Sequence, residues 1–383
     1  MYRNPDFTQT TLSNAIYLLP TGQGRSDLKN GIRINETGAC IWSLLQKDRS
    51  LTELLSLAEE QLGISPEKSD NFRQGVLSFL DDLAFHGLLL DTPAIPRKGE
   101  SYYMTLSIAG LTINLFGPQD AFSSEFASFS YDYTETPDQT VLVLYGSPAA
   151  HENGKVLVRN PELTVMELSG KYILLFHQDS CVKELHLEKD ASLVTLYCIP
   201  NSDRLVTDVF HALRFSFLYM AQEHGILAIH SASVLYRERA WLFSAPAGTG
   251  KSTHAALWNR LADAPLINGD LNLIALENGH PVVHGLPWCG TSGIFDTHSY
   301  ELGGIIFLKQ APTDSIEQLA GEQRILSLTN RLISPVWDGP MLERQLAFAA
   351  GISETLFMCR LHCTEKPSAL ALIRTEIDGY LNT

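Results

Sequence analysis

One stretch restricts the fold of this chain more than any other. An apolar run, Ala240-Trp241-Leu242-Phe243, enters the loop Ser244-Ala245-Pro246-Ala247-Gly248-Thr249-Gly250-Lys251-Ser252-Thr253, and the helix-like run His254-Ala255-Ala256-Leu257-Trp258 follows. Strand, glycine-bearing loop, Lys-Ser and helix follow one another in the Walker A order. The N–H groups of such a loop and the N-terminus of its helix form a cradle for anions. Lys251 then reaches the β- and γ-phosphates of a nucleotide, and the Ser252 hydroxyl ligates Mg²⁺. The expected nucleotide-binding segment is therefore Ala245, Pro246, Ala247, Gly248, Thr249, Gly250, Lys251, Ser252 and Thr253, with ATP and Mg²⁺ as cofactors. Ala245 stands where the usual pattern has glycine, which costs nothing if that residue keeps a negative φ.

Two polar residues lie at telling distances from Lys251. His230 sits inside the apolar run 226–236, 21 residues before Lys251. A buried imidazole needs a partner or a task, and taken alone this one reads as a satisfied core histidine. The turn Arg237-Glu238-Arg239 is short, so runs 226–236 and 240–244 read as hairpin neighbours, which brings His230 towards the loop. Downstream, Pro265-Leu266-Ile267-Asn268-Gly269-Asp270 reads as a short strand ending in an acid, 19 residues after Lys251. A carboxylate there can hold Mg²⁺ or accept a substrate proton. Asn-Gly-Asp is equally good turn chemistry.

Composition narrows the partners. The net charge of −15 over 383 residues repels a phosphodiester backbone and argues against nucleic acid. No apolar run approaches the roughly 20 residues that span a bilayer, and residues 1–6 lack a signal-peptide core, so a cytoplasmic protein is expected. The contexts of Cys40, Cys181, Cys198, Cys289, Cys359 and Cys363 suggest mostly buried free thiols. Cys359 and Cys363 lack the second ligand pair that a structural zinc wants.

The chain divides into three expected segments within an α/β (α+β) class. Residues 1–95 carry short strands at 15–19 and 31–35 and helices at 37–45, 51–62 and 67–86. Ser50 and Glu53 form an expected capping box and Gly63 a stop. Residues 91–100 are rich in Pro and charge and read as a linker. Residues 100–200 are strand-rich (103–115, 141–145, 155–158, 163–168, 172–176 and 193–198) and carry no evident chemistry; His177 and Asp179 read as surface or turn residues. Residues 201–383 open with a helix over 203–223. They continue with strands at 226–236, 240–244, 266–267, 305–307 and 356–361 and helices at 253–261, 341–350 and 368–377.

Taken together, His230, the Gly250-Lys251-Ser252 loop and Asp270 resemble the HPr kinase/phosphorylase family, whose relatives include phosphoenolpyruvate carboxykinase. That family has a histidine about twenty residues before the loop lysine and an acidic pair about eighteen after it. Pro287-Trp288-Cys289-Gly290, His230-Ser231-Ala232-Ser233 and residues 252–258 are similar to shorter HPr-kinase-like proteins of peptide-modifying gene clusters. The resemblance covers about residues 200–375. It implies that Asp270 takes the proton from a substrate hydroxyl and that His230 lies beside the phosphates or the acceptor. Gly269 stands where the first acid of the pair is usual, and no match is found for a later metal-binding Glu.

Residues 1–95 resemble the winged-helix-like PqqD recognition domain through Ile34-Asn35-Glu36-Thr37-Gly38-Ala39-Cys40-Ile41-Trp42, Phe79-Leu80-Asp81-Asp82-Leu83 and Gly87-Leu88. In that family the leader of a ribosomally made precursor peptide adds as a strand to a sheet edge beside a helix, here near residues 31–35 and 67–86. A winged-helix nucleic-acid binder is the other reading, and 12 Asp/Glu against 8 Lys/Arg in residues 1–95 weigh against it. The combined expectation is an ATP-dependent serine/threonine kinase for a ribosomally synthesised precursor peptide, with catalytic Asp270, His230 and Lys251 and metal ligands Ser252 and Asp270. A homo-oligomer is compatible with this reading. The alternatives are a kinase acting on a carrier protein or small molecule, and a non-catalytic nucleotide-binding peptide-recognition protein.

Overall fold

The computed structural model describes the chain apart from residues 23–24, 26–30, 48, 86–87, 91–100, 147, 149–153, 169, 178–179, 201, 247 and 383. The expected linker 91–100, Gly87, Ala247 and Asp179 lie outside the described residues. The described chain begins with β1 (Tyr2–Arg3), β2 (Phe7–Leu12), β3 (Ala15–Pro20), β4 (Ile32–Ile34), α1 (Glu36–Leu44), α2 (Leu51–Leu62), α3 (Ser69–Phe85) and β5 (Leu89–Leu90). Then come β6 (Tyr102–Ile108), β7 (Leu111–Phe116), β8 (Ser130–Tyr131), β9 (Gln139–Tyr145), β10 (Lys155–Arg159), β11 (Leu163–Glu167), β12 (Lys171–Phe176), β13 (Val182–Glu188) and β14 (Leu193–Cys198). The rest is α4 (Leu205–Glu223), β15 (Leu227–Tyr236), β16 (Arg239–Ser244), α5 (Lys251–Ala262), β17 (Leu271–Glu277), β18 (His280–His284), β19 (Ser299–Gln310) and β20 (Ser315–Gln318), then α6 (Gly321–Thr329), α7 (Gly339–Thr355), β21 (Phe357–Cys363) and α8 (Pro367–Leu381). No described helix is long and apolar enough to cross a membrane.

Two compact units form: Met1–Ser101, Leu142–Leu187 and Thr195–Asp208 in one, Tyr102–Val141, Glu188–Val194 and Val209–Thr383 in the other. In the first, β2, β3 and β4 make a three-stranded antiparallel sheet with β4 at one edge, while β1 pairs with β5. Asn35 ends the edge strand and caps α1, its side chain accepting from Gly38 N at 2.8 Å. Ser50 caps α2 by accepting from Glu53 N. The Glu53 carboxylate pairs with Arg49 instead of returning to Ser50, so half of the expected box forms. Gly63 closes α2 in the left-handed conformation. Ile41, Trp42, Leu54, Leu80 and Leu83 of the three helices are buried in one core.

In the second unit, β15 and β19 are long strands that serve two sheets. The first half of β15 pairs with β17 (His230↔Leu271) and its second half with β16 (Ser231↔Ser244 to Tyr236↔Arg239). The hairpin turn is Arg237-Glu238, both at positive φ. β19 pairs with β18 at its start, then runs parallel to β16 on one side and β21 on the other. The C-terminal ends of β16, β19 and β21 therefore point the same way, and the loop that follows Ser244 leaves from that end, where open α/β sheets hold ligands. The apolar core beneath it joins Trp241 and Phe243 of β16 with Ala255 and Trp258 of α5 and Ile373 and Ile377 of α8.

Several sequence expectations change. Residues 103–115 are a hairpin, β6 and β7, turned at Ala109-Gly110 with φ of 53° and 79°. Residues 266–267 make an isolated bridge (Val234↔Leu266), and the strand starts only at Leu271. β13, β17, β18, β20 and α6 have no counterpart in the sequence reading.

Candidate active site

The loop begins where β16 ends. Ala245 is buried with Phe243, Ala255 and Trp258, so its methyl is a core atom, and it is not among the described residues with positive φ. Gly248 and Gly250 do have positive φ, 74° and 92°, and these are the two positions where glycine is needed. Gly250 caps α5, whose first residue is Lys251. Lys251 is buried, with its ammonium donating to Ala245 O at 3.2 Å. Burial pushes its pKa down and the nearby Asp270 opposes that. Pro246, Gly248, Ser252 and Thr253 are exposed and Thr249 is half-buried, so the loop presents its backbone and the Ser252 hydroxyl to solvent.

The register of β15 places the second element. His230 is the residue before Ser231↔Ser244, and Ser244 Oγ donates to His230 O at 2.7 Å. The imidazole points to Asp270, with Nε2 3.0 Å from Oδ1. This bond, above all, holds the Asp270 carboxyl below the usual carboxylate range; the His230, Lys251 and Arg214 charges add to it, and burial opposes it. Asp270 does not end a strand: it precedes β17, and its carbonyl accepts from Ser231 N at 3.0 Å. His230, Asp270 and Lys251 are thus brought into one neighbourhood.

A buried polar network lies under this neighbourhood. Ser231, Ser233, Asn268 and Asn272 are all fully buried. Asn272 Nδ2 donates to Ser231 O (2.7 Å), Ser233 Oγ and Asn268 Nδ2 donate to Asn272 Oδ1 (2.7 and 3.0 Å), and Asn268 N donates to Ser233 Oγ (3.0 Å). Each bond satisfies a group that would otherwise cost about 1–3 kcal/mol to bury. Together they fix the backbone on both sides of Asp270. The alternation Ser231-Ala232-Ser233 within an apolar strand was the only signal of this network in the sequence.

The sequence reading also missed what faces Asp270. The turn Pro287–Ser292 lies against it. A Cβ on Gly290 would sit 2.8 Å from Asp270 Oδ2. A Cβ on Gly269 would sit 2.0 Å from Ser292 Oγ and 2.5 Å from Ser292 Cβ. Ser292 Oγ donates to Cys289 O at 2.7 Å and accepts from Ile294 N at 3.2 Å. The space that an acid at position 269 would need is filled by Ser292, which is the physical reason for one carboxylate here instead of two. Elsewhere, Cys359 and Cys363 are buried thiols on β21, and among the described residues no group of three or more His, Cys, Asp or Glu is placed to hold a metal ion.

Three comparisons with known proteins bear on the chain. No curated protein matches it. The solved Hpr(Ser) kinase/phosphatase from Coxiella burnetii shares 16% identity over 24% of this chain and 77% of that chain, with a TM-score of 0.19. Residues 21–89, which hold β4, α1, α2 and α3, match the family model of coenzyme PQQ synthesis protein D (PqqD).

Proposed function

We propose that this chain is an ATP-dependent serine/threonine kinase for a ribosomally synthesised precursor peptide whose leader it captures, a cytoplasmic enzyme of peptide modification. The observation that carries the reading is the His230–Asp270 pair, held beside the start of the phosphate loop by the β15–β16 register. The proposed organisation is a leader-binding domain over 1–95, a strand-rich segment over 100–200 and a kinase core over 201–383.

The chemistry follows from the residues. The loop's N–H groups and Lys251 hold the phosphates, which asks mainly for position and charge neutralisation. The Ser252 hydroxyl and the second lone pair of Asp270 Oδ1 are the hard oxygen donors that Mg²⁺ would take, and this ion is content with one or two protein ligands beside phosphate and water; bound there, it would offset phosphate charge. The acceptor hydroxyl oxygen forms a bond to the γ-phosphorus as the bond to the nucleoside diphosphate breaks. Its proton passes to Asp270, which is ionised near neutral pH because its pKa is lowered. His230 holds the carboxylate through Oδ1.

The match of residues 21–89 to the PqqD model supports the peptide partner. The edge strand β4 fits the expected mode of capture, since an extended peptide can add to it. An open groove beside it is lined by Thr11, Asn14, Arg33, Asn35 and Glu36. Holding the leader raises the effective concentration of the core hydroxyl to about millimolar. The test is incubation of the full-length protein with ATP-Mg²⁺ and precursor peptide. The expected result is a mass gain of one phosphate on a core Ser or Thr, suppressed by excess free leader. No gain on any precursor sinks the reading; a gain that free leader leaves unchanged points to a carrier-protein or small-molecule kinase.

A further inference from the structure

Gly290 does more than turn the chain. The segment it belongs to is anchored from behind: Trp288 is buried, its Nε1 donates to Phe210 O at 2.7 Å, and its ring stacks on Phe217 with centroids 5.2 Å apart. The same segment is tied at the front to the strand entry that carries Asp270. Gly269 N donates to Ile294 O at 3.0 Å, and Asp296 N donates to Asn268 Oδ1 at 3.1 Å. Gly290 therefore cannot retreat from Asp270 without breaking these bonds. Its hydrogen-only α-carbon faces the carboxylate so closely that a methyl there would lie 2.8–3.0 Å from Oδ2, Cβ and Cγ of Asp270.

We propose that Gly290, held in place by Trp288, is the positioning residue for Asp270: it sets the carboxylate so that Oδ1 takes the His230 bond while Oδ2 is presented to the acceptor hydroxyl. The inference rests on the phosphoryl-transfer reading above. A methyl at 290 displaces the carboxylate from His230, and misplacement of a reacting group by about 1 Å costs up to about 100-fold in rate. The groups facing Asp270 are His230 from β15, Lys251 from α5, Arg214 from α4 and Cys289 from the turn itself.

The experiment compares full-length wild type with Gly290→Ala and Ser292→Ala. Alanine at left-handed φ is within this chain's habits, since Ala109 and Ala191 stand at 53° and 63° beside the 63° of Gly290. Gly290→Ala is expected to lower kcat about 10- to 100-fold with nucleotide Kd within about twofold. Asp270→Asn with Gly290→Ala is expected to be no slower than Asp270→Asn alone. Ser292→Ala loosens the turn without adding an atom, and should lower kcat about threefold with nucleotide Kd within about twofold and no further loss on top of Asp270→Asn; it decides the matter if Gly290→Ala does not fold. An active wild type with Gly290→Ala within twofold in kcat, or with a loss in kcat that adds in full to that of Asp270→Asn, overturns the inference alone. A wild type that transfers no phosphoryl group overturns the reading beneath it.

Discussion

His230 Nε2 lies 3.0 Å from Asp270 Oδ1 across the pairing of β15 with β17. The bond uses one carboxylate oxygen to orient the other. Asp270→Asn keeps the shape and removes the proposed proton acceptor. Loss of a positioned base costs about 10²–10⁴ in rate, so kcat should fall within that range while nucleotide Kd stays within about twofold. Because the carboxyl's pKa lies below the ordinary 3.8, wild-type kcat should show no acid limb from this group between about pH 5 and pH 8. Steady-state kinetics across that range checks both.

Lys251 is buried and bonded within its own loop. Methionine matches its length without its charge, and burial already disfavours the charged ammonium in the nucleotide-free fold. Lys251→Met should therefore leave the nucleotide-free protein as stable as wild type. It should abolish the gain on adding nucleotide, which for wild type at 100 times Kd amounts to about 2.7 kcal/mol. Denaturant melts with and without nucleotide make the comparison.

Gly269 and Ser292 occupy one space between them. Gly269→Ala places a methyl on Ser292 and should cost about 1–3 kcal/mol, as overpacking does. Ser292→Gly in the same chain removes the colliding atoms and should recover most of that loss. Additive effects of the two substitutions would contradict the geometry.

His254 is buried in α5, accepts from Trp258 Nε1 at 3.3 Å, and has its pKa driven down to about 4 by burial. Its folded pKa is below its unfolded value of 6.5, so the unfolded chain binds the proton first. Its stabilising effect is fully present above pH 6.5 and is lost as pH falls towards about 4. His254→Leu should flatten the decline of stability over that window relative to wild type, by about 3 kcal/mol at most. Urea melts at steps from pH 7 to pH 4.5 measure the difference.

Much of this was legible along the chain because it rests on local signals. The loop is written in consecutive residues, the hairpin in a short turn, and the caps of α2 in Ser50 and Gly63. What escaped was non-local. β17 and β18 are joined by the turn Asn278-Gly279, both at positive φ, yet the polar and proline residues of β18 weaken its periodicity. Residues 103–115 hid a hairpin because apolar residues flank Ala109-Gly110 on both sides. The approach of Gly290 to Asp270 and of Ser292 to Gly269 joins positions about twenty apart, and glycine records a neighbour only by what it lacks. The strand expected at 266–267 failed because its groups bond to Ser233 and Leu235 one bridge at a time.

The Ser231–Ser233–Asn268–Asn272 network has a consequence for how this chain can drift. Its members touch no solvent and satisfy one another's polar atoms, so exchanging one for an apolar residue strands its partners. Sequence change there must come in compensating sets. A deep mutational scan selected for folding would find those four positions as intolerant as the apolar core. The exposed Ser252 and Thr253 would accept most residues in that scan and lose their freedom only under selection for nucleotide turnover.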